Sequence, residues 1–239
     1  MKIVSYKICP FVQRVTALLE VKNVDYEVEY IELSDKPEWF LKISPNAQVP
    51  VLITDENQVL FESDAIVEYI DEVMGAPLSS GDPLKKAQDR AWSYLASKNY
   101  LLQCSAQRSP DAATLEERAA KLSTAFGKIE ARLGDDPYAN GDQPGMIDIA
   151  WLPLLHRASI IERESSYDFL GVFPRVKRWQ RDLLATGIAE KSVASDFEER
   201  FNAFYLAEET QLGQLARNGS GTTCCQPSTR DRNAMACCA

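Results

Sequence analysis

Residues 3–12 read Ile3-Val4-Ser5-Tyr6-Lys7-Ile8-Cys9-Pro10-Phe11-Val12, a strand pattern that gives way to a helix start at Pro10. Residues 2 to 6 supply the strand. Pro10 suits a first helical position, because the N–H it lacks would have no intrahelical partner there. From Val12 to Val21, and on to Lys22, the residues Val15, Leu18, Leu19 and Lys22 follow a helical period whose apolar members can face a sheet. Tyr26 to Ile31 alternates as a second strand, and a short helical stretch covers Pro37 to Lys42. Two compact strands, Val49 to Thr54 and Gln58 to Phe61, flank the hairpin loop Asp55-Glu56-Asn57. A third helix begins at Ser63 and runs to Met74. The order βαβαββα, with an antiparallel second strand pair, predicts a mixed α/β sheet with helices on both sides.

Gly75 to Pro83 is rich in Gly, Pro and Ser and has few apolar residues to anchor it. We read residues 1–75 as a first domain, 76–83 as a linker and 84–215 as an all-helical second domain. Its predicted helices are Leu84 to Gln107, Leu115 to Leu133, Ile147 to Ile161, Pro174 to Ala185 and Lys191 to Leu215, separated by Ser-Pro, Gly-Asp-Asp-Pro and Gly-Val-Phe-Pro. Residues 216–239 turn to Asn, Gly, Ser, Thr and Pro with Arg and four cysteines, a composition that predicts a disordered tail.

The 239 residues carry a net charge of -9, which argues against a nucleic-acid partner because phosphate neutralisation needs a surplus of Lys and Arg. The first residues lack the long apolar segment and small-residue cleavage site of a leader, and no apolar run is long enough to span a bilayer. A soluble, cytoplasmic protein without a membrane partner is expected. Of the six cysteines, Cys9 and Cys104 are those in the first two hundred residues, so no disulfide framework staples the globular part.

Cys9, between a strand and a helix N-terminus, sits where unpaired N–H groups and the helix dipole favour a thiolate over a thiol. Val12 occupies the position at which a dithiol oxidoreductase places its resolving cysteine. A mixed disulfide at Cys9 must then be resolved by an external thiol, for which glutathione is the cytosolic candidate.

The stretches ICPFVQR, LSDKPEWFLKISPNAQVPVL and LFESDAIVEYID, in that order, resemble the omega-class and dehydroascorbate-reductase branch of the glutathione transferases. The resemblance covers residues 1 to 215. It implies a thioredoxin-like N-terminal domain that holds glutathione, a helical C-terminal domain that supplies the second-substrate pocket, and a homodimer. Carried over residue by residue, it makes Cys9 the catalytic residue that forms the glutathione mixed disulfide, with Phe11 walling the site. Lys36 pairs with the glycyl carboxylate, Val49 offers its backbone N–H and C=O, Pro50 is cis, and Glu62 and Ser63 hold the γ-glutamyl amine and carboxylate. The implied substrate is a small disulfide or a dehydroascorbate-like carbonyl, with glutathione as co-substrate and no metal required; classical conjugation is expected to be weak.

One departure from the family pattern is Gly145, three residues before Asp148, where Ser or Thr is common; the helix there is expected to have a weaker cap. Trp92, Tyr94, Tyr100 and Trp151 are candidates for the second-substrate pocket, with core packing the more frequent role for each. His156, the single histidine, reads as packed or surface rather than as a metal ligand. The vicinal pairs Cys224-Cys225 and Cys237-Cys238 suggest metal binding, redox or protein partnering, or no selected role. They also define the alternative reading, a non-catalytic transferase-fold protein that binds partners or metal through its tail.

Overall fold

Strand β1 (Lys2–Ser5) is buried at Ile3, Val4 and Ser5, and the sheet grows outward from it. The computed structural model describes residues 1–219. The strand order is β2-β1-β3-β4. Strand β2 (Glu27–Tyr30) runs parallel to β1 with Lys2 opposite Glu27. Strand β3 (Val51–Ile53) is antiparallel to β1 with Val4 opposite Val51, and β4 (Val59–Phe61) returns antiparallel to β3. Asn57 turns the β3–β4 hairpin at φ 58°, a left-handed conformation that asparagine tolerates. The mixed sheet and the helices α1 (Pro10–Val21), α2 (Glu38–Ile43) and α3 (Ser63–Val73) give the expected βαβαββα order of a thioredoxin-like domain.

Helix α1 is covered on nearly every side. Its apolar residues Val12, Val15, Leu18 and Leu19 are buried, but so are Gln13, Arg14 and Thr16. It packs against α3 within its own domain and against two helices of the helical domain, α7 (Met146–Ser165) and α9 (Ile188–Lys191).

The second domain comprises α4 (Pro83–Ser97), α5 (Tyr100–Gln107), α6 (Ala112–Arg132), α7 (Met146–Ser165), α8 (Pro174–Leu184), α9 (Ile188–Lys191), α10 (Phe197–Tyr205) and α11 (Gln211–Gly219). The first predicted helix, Leu84 to Gln107, is two. The Asn99 side chain donates to the Leu95 carbonyl at 2.7 Å, the acceptor that a continuous helix reserves for the Asn99 N–H, which turns instead to the Ala96 carbonyl. The span Lys191 to Leu215 is likewise broken. Thr16 of α1 donates its hydroxyl to the Ser192 carbonyl at 2.6 Å and ends α9 there, and a second break falls between Leu206 and Thr210. Thr210 then starts α11, its hydroxyl accepting from the Gly213 N–H. A Cβ at Gly213 would lie 2.1 Å from the Ala207 carbonyl oxygen, so the close approach of that turn demands glycine. Helix α11 continues to Gly219, past the expected domain end at residue 215; Cys224, Cys225, Cys237 and Cys238 lie outside the described residues. Among the described residues no helix is long and apolar enough to cross a membrane.

Helix α7 is the core of this domain, buried from Ile147 to Ala158. A helix buried on all sides is central. Trp151, Trp179, Phe126 and Phe173 cluster around it. Gly145 offers no side chain to cap α7, but Asp148 accepts from the Gly145 N–H at 2.8 Å, from the Ala139 N–H at 2.9 Å and from the Trp179 indole at 2.6 Å. The weaker cap is thus offset by a carboxylate that also ties down α8.

The linker is anchored by a polar group. Buried Asp71, on α3, accepts from the N–H groups of Leu78 and Ser79 and from the Ser79 hydroxyl, and it faces the Lys22 ammonium at 3.0 Å. Lys22 also donates to the Met74 and Ala76 carbonyls, both at 2.8 Å. Burial acts to raise the Asp71 pKa, but the bonds from Ser79, Leu78 and Lys22 outweigh it and the group lies below its ordinary 3.8. A depressed carboxylate contributes stability above its unfolded value and loses it as pH falls. Urea unfolding of Asp71→Ala at pH 7 is therefore expected to show a loss of about 3 kcal/mol, with the gap to the wild type closing progressively below pH 3.8.

Candidate active site

Helix α1 starts at Cys9, its N-cap, with an extended backbone (φ -74°, ψ 123°) and Pro10 in the first helical position. The Cys9 N–H donates to the Tyr6 carbonyl at 3.0 Å, and the Cys9 carbonyl accepts from the Gln13 N–H at 3.2 Å, closing the first helical turn. The residue is a thiol outside any disulfide and is 3% exposed.

Near it runs an open cleft of about 230 Å³. Phe11, Val49, Pro50, Glu62 and Ser63 line it together with Asn46. The Val49–Pro50 bond is cis, as expected. Val49 precedes β3 and stands outside the β1 and β4 ladders. Ser44 shapes the loop before it, its hydroxyl donating to the Gln48 carbonyl at 2.9 Å and accepting from the Gln48 N–H at 3.0 Å. Glu62 is the N-cap of α3 at φ 69°, a conformation costly for glutamate and held by the flanking strand and helix; its carboxylate accepts from the Asn46 amide at 2.9 Å. Ser63 opens α3, placing its neighbourhood at a helix N-terminus suited to an anion.

Two of the predicted site residues stand apart from that cleft. Cys9 borders a neighbouring cavity of about 70 Å³, bounded by Tyr6, Tyr30 and Val193 among others. Lys36 lies half-buried on the loop before α2, lines neither cavity, and makes no ion pair among the described residues.

Of the four aromatic candidates, Tyr100 makes a ring contact with a cleft residue, its ring 5.0 Å edge-on from Phe11 while its hydroxyl bonds the Ala150 carbonyl. Burial pushes its phenol well above the ordinary range. Trp151 is sealed against Phe126 and Trp179, Trp92 lies under Arg132, and the Tyr94 hydroxyl donates to Glu68 at 2.9 Å.

The sequence reading missed a polar group behind Cys9. Arg157, fully buried, donates to the Gln13 side-chain oxygen, to the Pro153 carbonyl at 3.1 Å and to the Ile8 carbonyl at 3.1 Å. A guanidinium can only donate, which fixes the Gln13 oxygen toward Arg157 and its nitrogen toward His156 Nδ1, 2.8 Å away. His156 Nδ1 must then accept, so its ring is neutral. Its stacking on Phe197 at 5.3 Å fits the packed role expected for it. On the other side of α1, buried Arg14 pairs with Asp64 of α3. The available signal was the occurrence of Gln13, Arg14, His156 and Arg157 within two otherwise apolar helices, where each needs a partner from another element.

Two family models match the chain, "Glutathione S-transferase, N-terminal domain" over residues 8–73 and "Glutathione S-transferase, C-terminal domain" over residues 112–181. Glutathione S-transferase omega-1 of Mus musculus is 31% identical over 212 residues, 85% of each chain. Pyrimidodiazepine synthase of Drosophila melanogaster is 33% identical over 186 residues, 75% of this chain and 74% of its own. Among solved structures, the rice enzyme GST1 in complex with glutathione superposes with a TM-score of 0.73 at 20% identity, covering 92% of this chain and 97% of that one.

Burial holds the His156 pKa down to about 3, with Arg157 and Arg163 adding to the effect. Unfolded, the ring takes its proton near pH 6.5, so between there and pH 3 the unfolded chain binds a proton that the folded chain refuses, and stability falls with pH. His156→Gln is expected to flatten that part of the stability profile in urea titrations across the same window; a slope equal to the wild type's would show that the imidazole is not held neutral.

Proposed function

Because the chain belongs to the glutathione S-transferase family and is omega-like, we propose that it is a glutathione-dependent thiol-disulfide oxidoreductase whose nucleophile is Cys9. The observation that carries this reading is Cys9 at the N-cap of α1, with Val12 where a resolving thiol would stand, next to a cleft walled by Phe11, Val49, cis-Pro50, Glu62 and Ser63.

The cleft is suited to an extended tripeptide. Val49 has backbone groups outside the sheet ladders, to which an extended chain can add as a further strand. Ser63 and the first turn of α3 suit the γ-glutamyl carboxylate, and the Glu62 carboxylate suits the amine. Lys36 reaches the glycyl carboxylate only if its loop or side chain moves toward the cleft on binding. In the reaction, the Cys9 thiolate attacks the glutathione sulfur of a mixed disulfide, the Cys9–glutathione bond forms, and the other sulfur leaves as a thiolate. A second glutathione thiolate then attacks the glutathione sulfur, releasing oxidised glutathione and regenerating Cys9. With dehydroascorbate, Cys9 adds to the carbonyl as a thiohemiketal. Glutathione attacks the Cys9 sulfur, ascorbate leaves with the bonding electron pair, and the resulting mixed disulfide is resolved as before.

Conjugation to electrophiles is weak in this scheme, because a cysteine at this position bonds to the glutathione sulfur where a hydroxyl would stabilise its thiolate. Cytoplasmic location and a homodimer accompany the reading from the family resemblance.

The test uses glutathione-dependent reduction of a small mixed disulfide and of dehydroascorbate. Cys9→Ala is expected to abolish both, whereas reductase activity persisting in Cys9→Ser would remove Cys9 from the mechanism. Ser63→Ala should raise the KM for glutathione about tenfold, the loss of one hydrogen bond to a charged group, with kcat little changed.

A further inference from the structure

We propose that Arg157 is a positioning residue for this reaction: it holds the Ile8 carbonyl immediately before the nucleophile and supplies the buried positive charge that keeps Cys9 as a thiolate. The inference rests on the reading of Cys9 as nucleophile.

A fully buried guanidinium is costly unless an opposite charge faces it. Arg157 has hydrogen-bond partners in Gln13, Pro153 and Ile8, all neutral, and its ring neighbour Phe197, 5.3 Å away, is neutral too. Its Nε has no hydrogen-bond partner, and among the described residues it makes no ion pair with a carboxylate. The acidic groups that act on it are Cys104, Tyr205, Cys9 and Tyr100, two thiols and two phenols. Burial keeps the Tyr100 phenol protonated, and a thiol is intrinsically more acidic than a phenol, so the thiols are the better source of a counter-charge.

The other cations around Cys9 are already committed. Lys7, in the same turn, pairs with Asp196 at 2.6 Å; Arg14, one helical turn along α1, pairs with Asp64; His156, from α7, is neutral. The remaining titratable groups facing the Cys9 cavity are Tyr6, Tyr26 and Tyr30, of which Tyr26 and Tyr30 are held protonated by burial. Arg157 is thus the cation near Cys9 whose charge no carboxylate takes up. Cys104 acts on Arg157 more strongly than Cys9 does, but Cys9 is the thiol whose neighbouring carbonyl Arg157 holds and which also stands in the positive field of the α1 N-terminus.

The arrangement also answers how a 3% exposed cysteine can ionise. Burial alone favours the neutral thiol, and the helix N-terminus by itself acts only over its first turn. A guanidinium enclosed in the same low-dielectric region acts on the thiolate without screening by solvent.

The test is the pH dependence of Cys9 alkylation by iodoacetamide in the full chain, read by peptide mapping so that Cys104 and the remaining cysteines are scored separately. Arg157→Met is expected to move the Cys9 midpoint up by about one to two pH units, to cut disulfide reductase activity at pH 7 about tenfold or more, and to recover much of it at pH 9. Arg157→Lys, which keeps the charge, should restore most of the midpoint. An unmoved Cys9 midpoint in folded Arg157→Met, or a shift confined to Cys104, overturns the inference. Should Arg157→Met fail to fold, Cys9→Ser supplies the second reading. A thiolate with a depressed native pKa contributes stability that grows as pH rises, so the wild type should melt above Cys9→Ser at pH 8 and level with it at pH 5; a gap that does not change with pH overturns it. Failure of the catalytic reading is distinct, because reductase activity would then survive in Cys9→Ala whatever the alkylation midpoint.

Discussion

A buried polar seam between α1 and α7 sets the relation of the two domains. Gln13 is its centre, accepting from Arg157 and donating to His156, and with longer bonds reaching the Ala189 carbonyl and the Ser192 hydroxyl. Thr16 adds its bond to the Ser192 carbonyl one turn further on. Each bond contributes about 1 kcal/mol net, but a buried group deprived of its partner costs about 1–3 kcal/mol. The seam therefore acts chiefly against misdocking: a slip of α1 along α7 would orphan a guanidinium, an amide and an imidazole together. The driving force for docking is the apolar burial around it, and the polar bonds select one register. Because Cys9 caps α1, that register also decides what faces its side chain.

Local patterns in the chain carried most of the architecture. Period-two and helical runs, separated by Gly, Pro and Asn, are properties of short segments, and the βαβαββα order followed from them. What they could not give was interruption by a distant side chain. Nothing in the periodicity of Leu84 to Gln107 says that Asn99 will occupy the Leu95 carbonyl, and nothing in Lys191 to Leu215 says that Thr16 will take the carbonyl of Ser192. The linker shows the same limit: its few apolar residues suggested weak anchoring, whereas the anchor is a carboxylate, Asp71, on the preceding helix.

The site divides along similar lines. Residues of the cleft come from short stretches, Phe11 in the first turn of α1, the Val49–Pro50 corner and the Glu62–Ser63 helix start, while Cys9 borders the neighbouring cavity. Lys36 belongs to a loop whose course depends on what it packs against, and it stands outside. Arg157 reaches the carbonyl before Cys9 across 149 positions of sequence and sits within an otherwise apolar stretch of α7. The physical clue was that a charged residue in the middle of so apolar a helix cannot remain without a partner, and α1 offered the matching polar residues.

Charge poses the last problem, since a chain of net charge -9 is an unpromising host for the proposed co-substrate, with its two carboxylates and one ammonium. At physiological ionic strength, however, exposed charges are screened over about 8 Å, so the field in the cleft is set by what borders it. Two helix N-termini border it, that of α1 through Phe11 and that of α3 at Ser63, and each carries unpaired N–H groups and a partial positive charge. The bordering carboxylate, Glu62, is already hydrogen-bonded to Asn46 and stands where a ligand's ammonium can meet it. The acidic surface and the anion-favouring cleft are therefore compatible, because distant surface charges act through screened water whereas the helix termini act at contact.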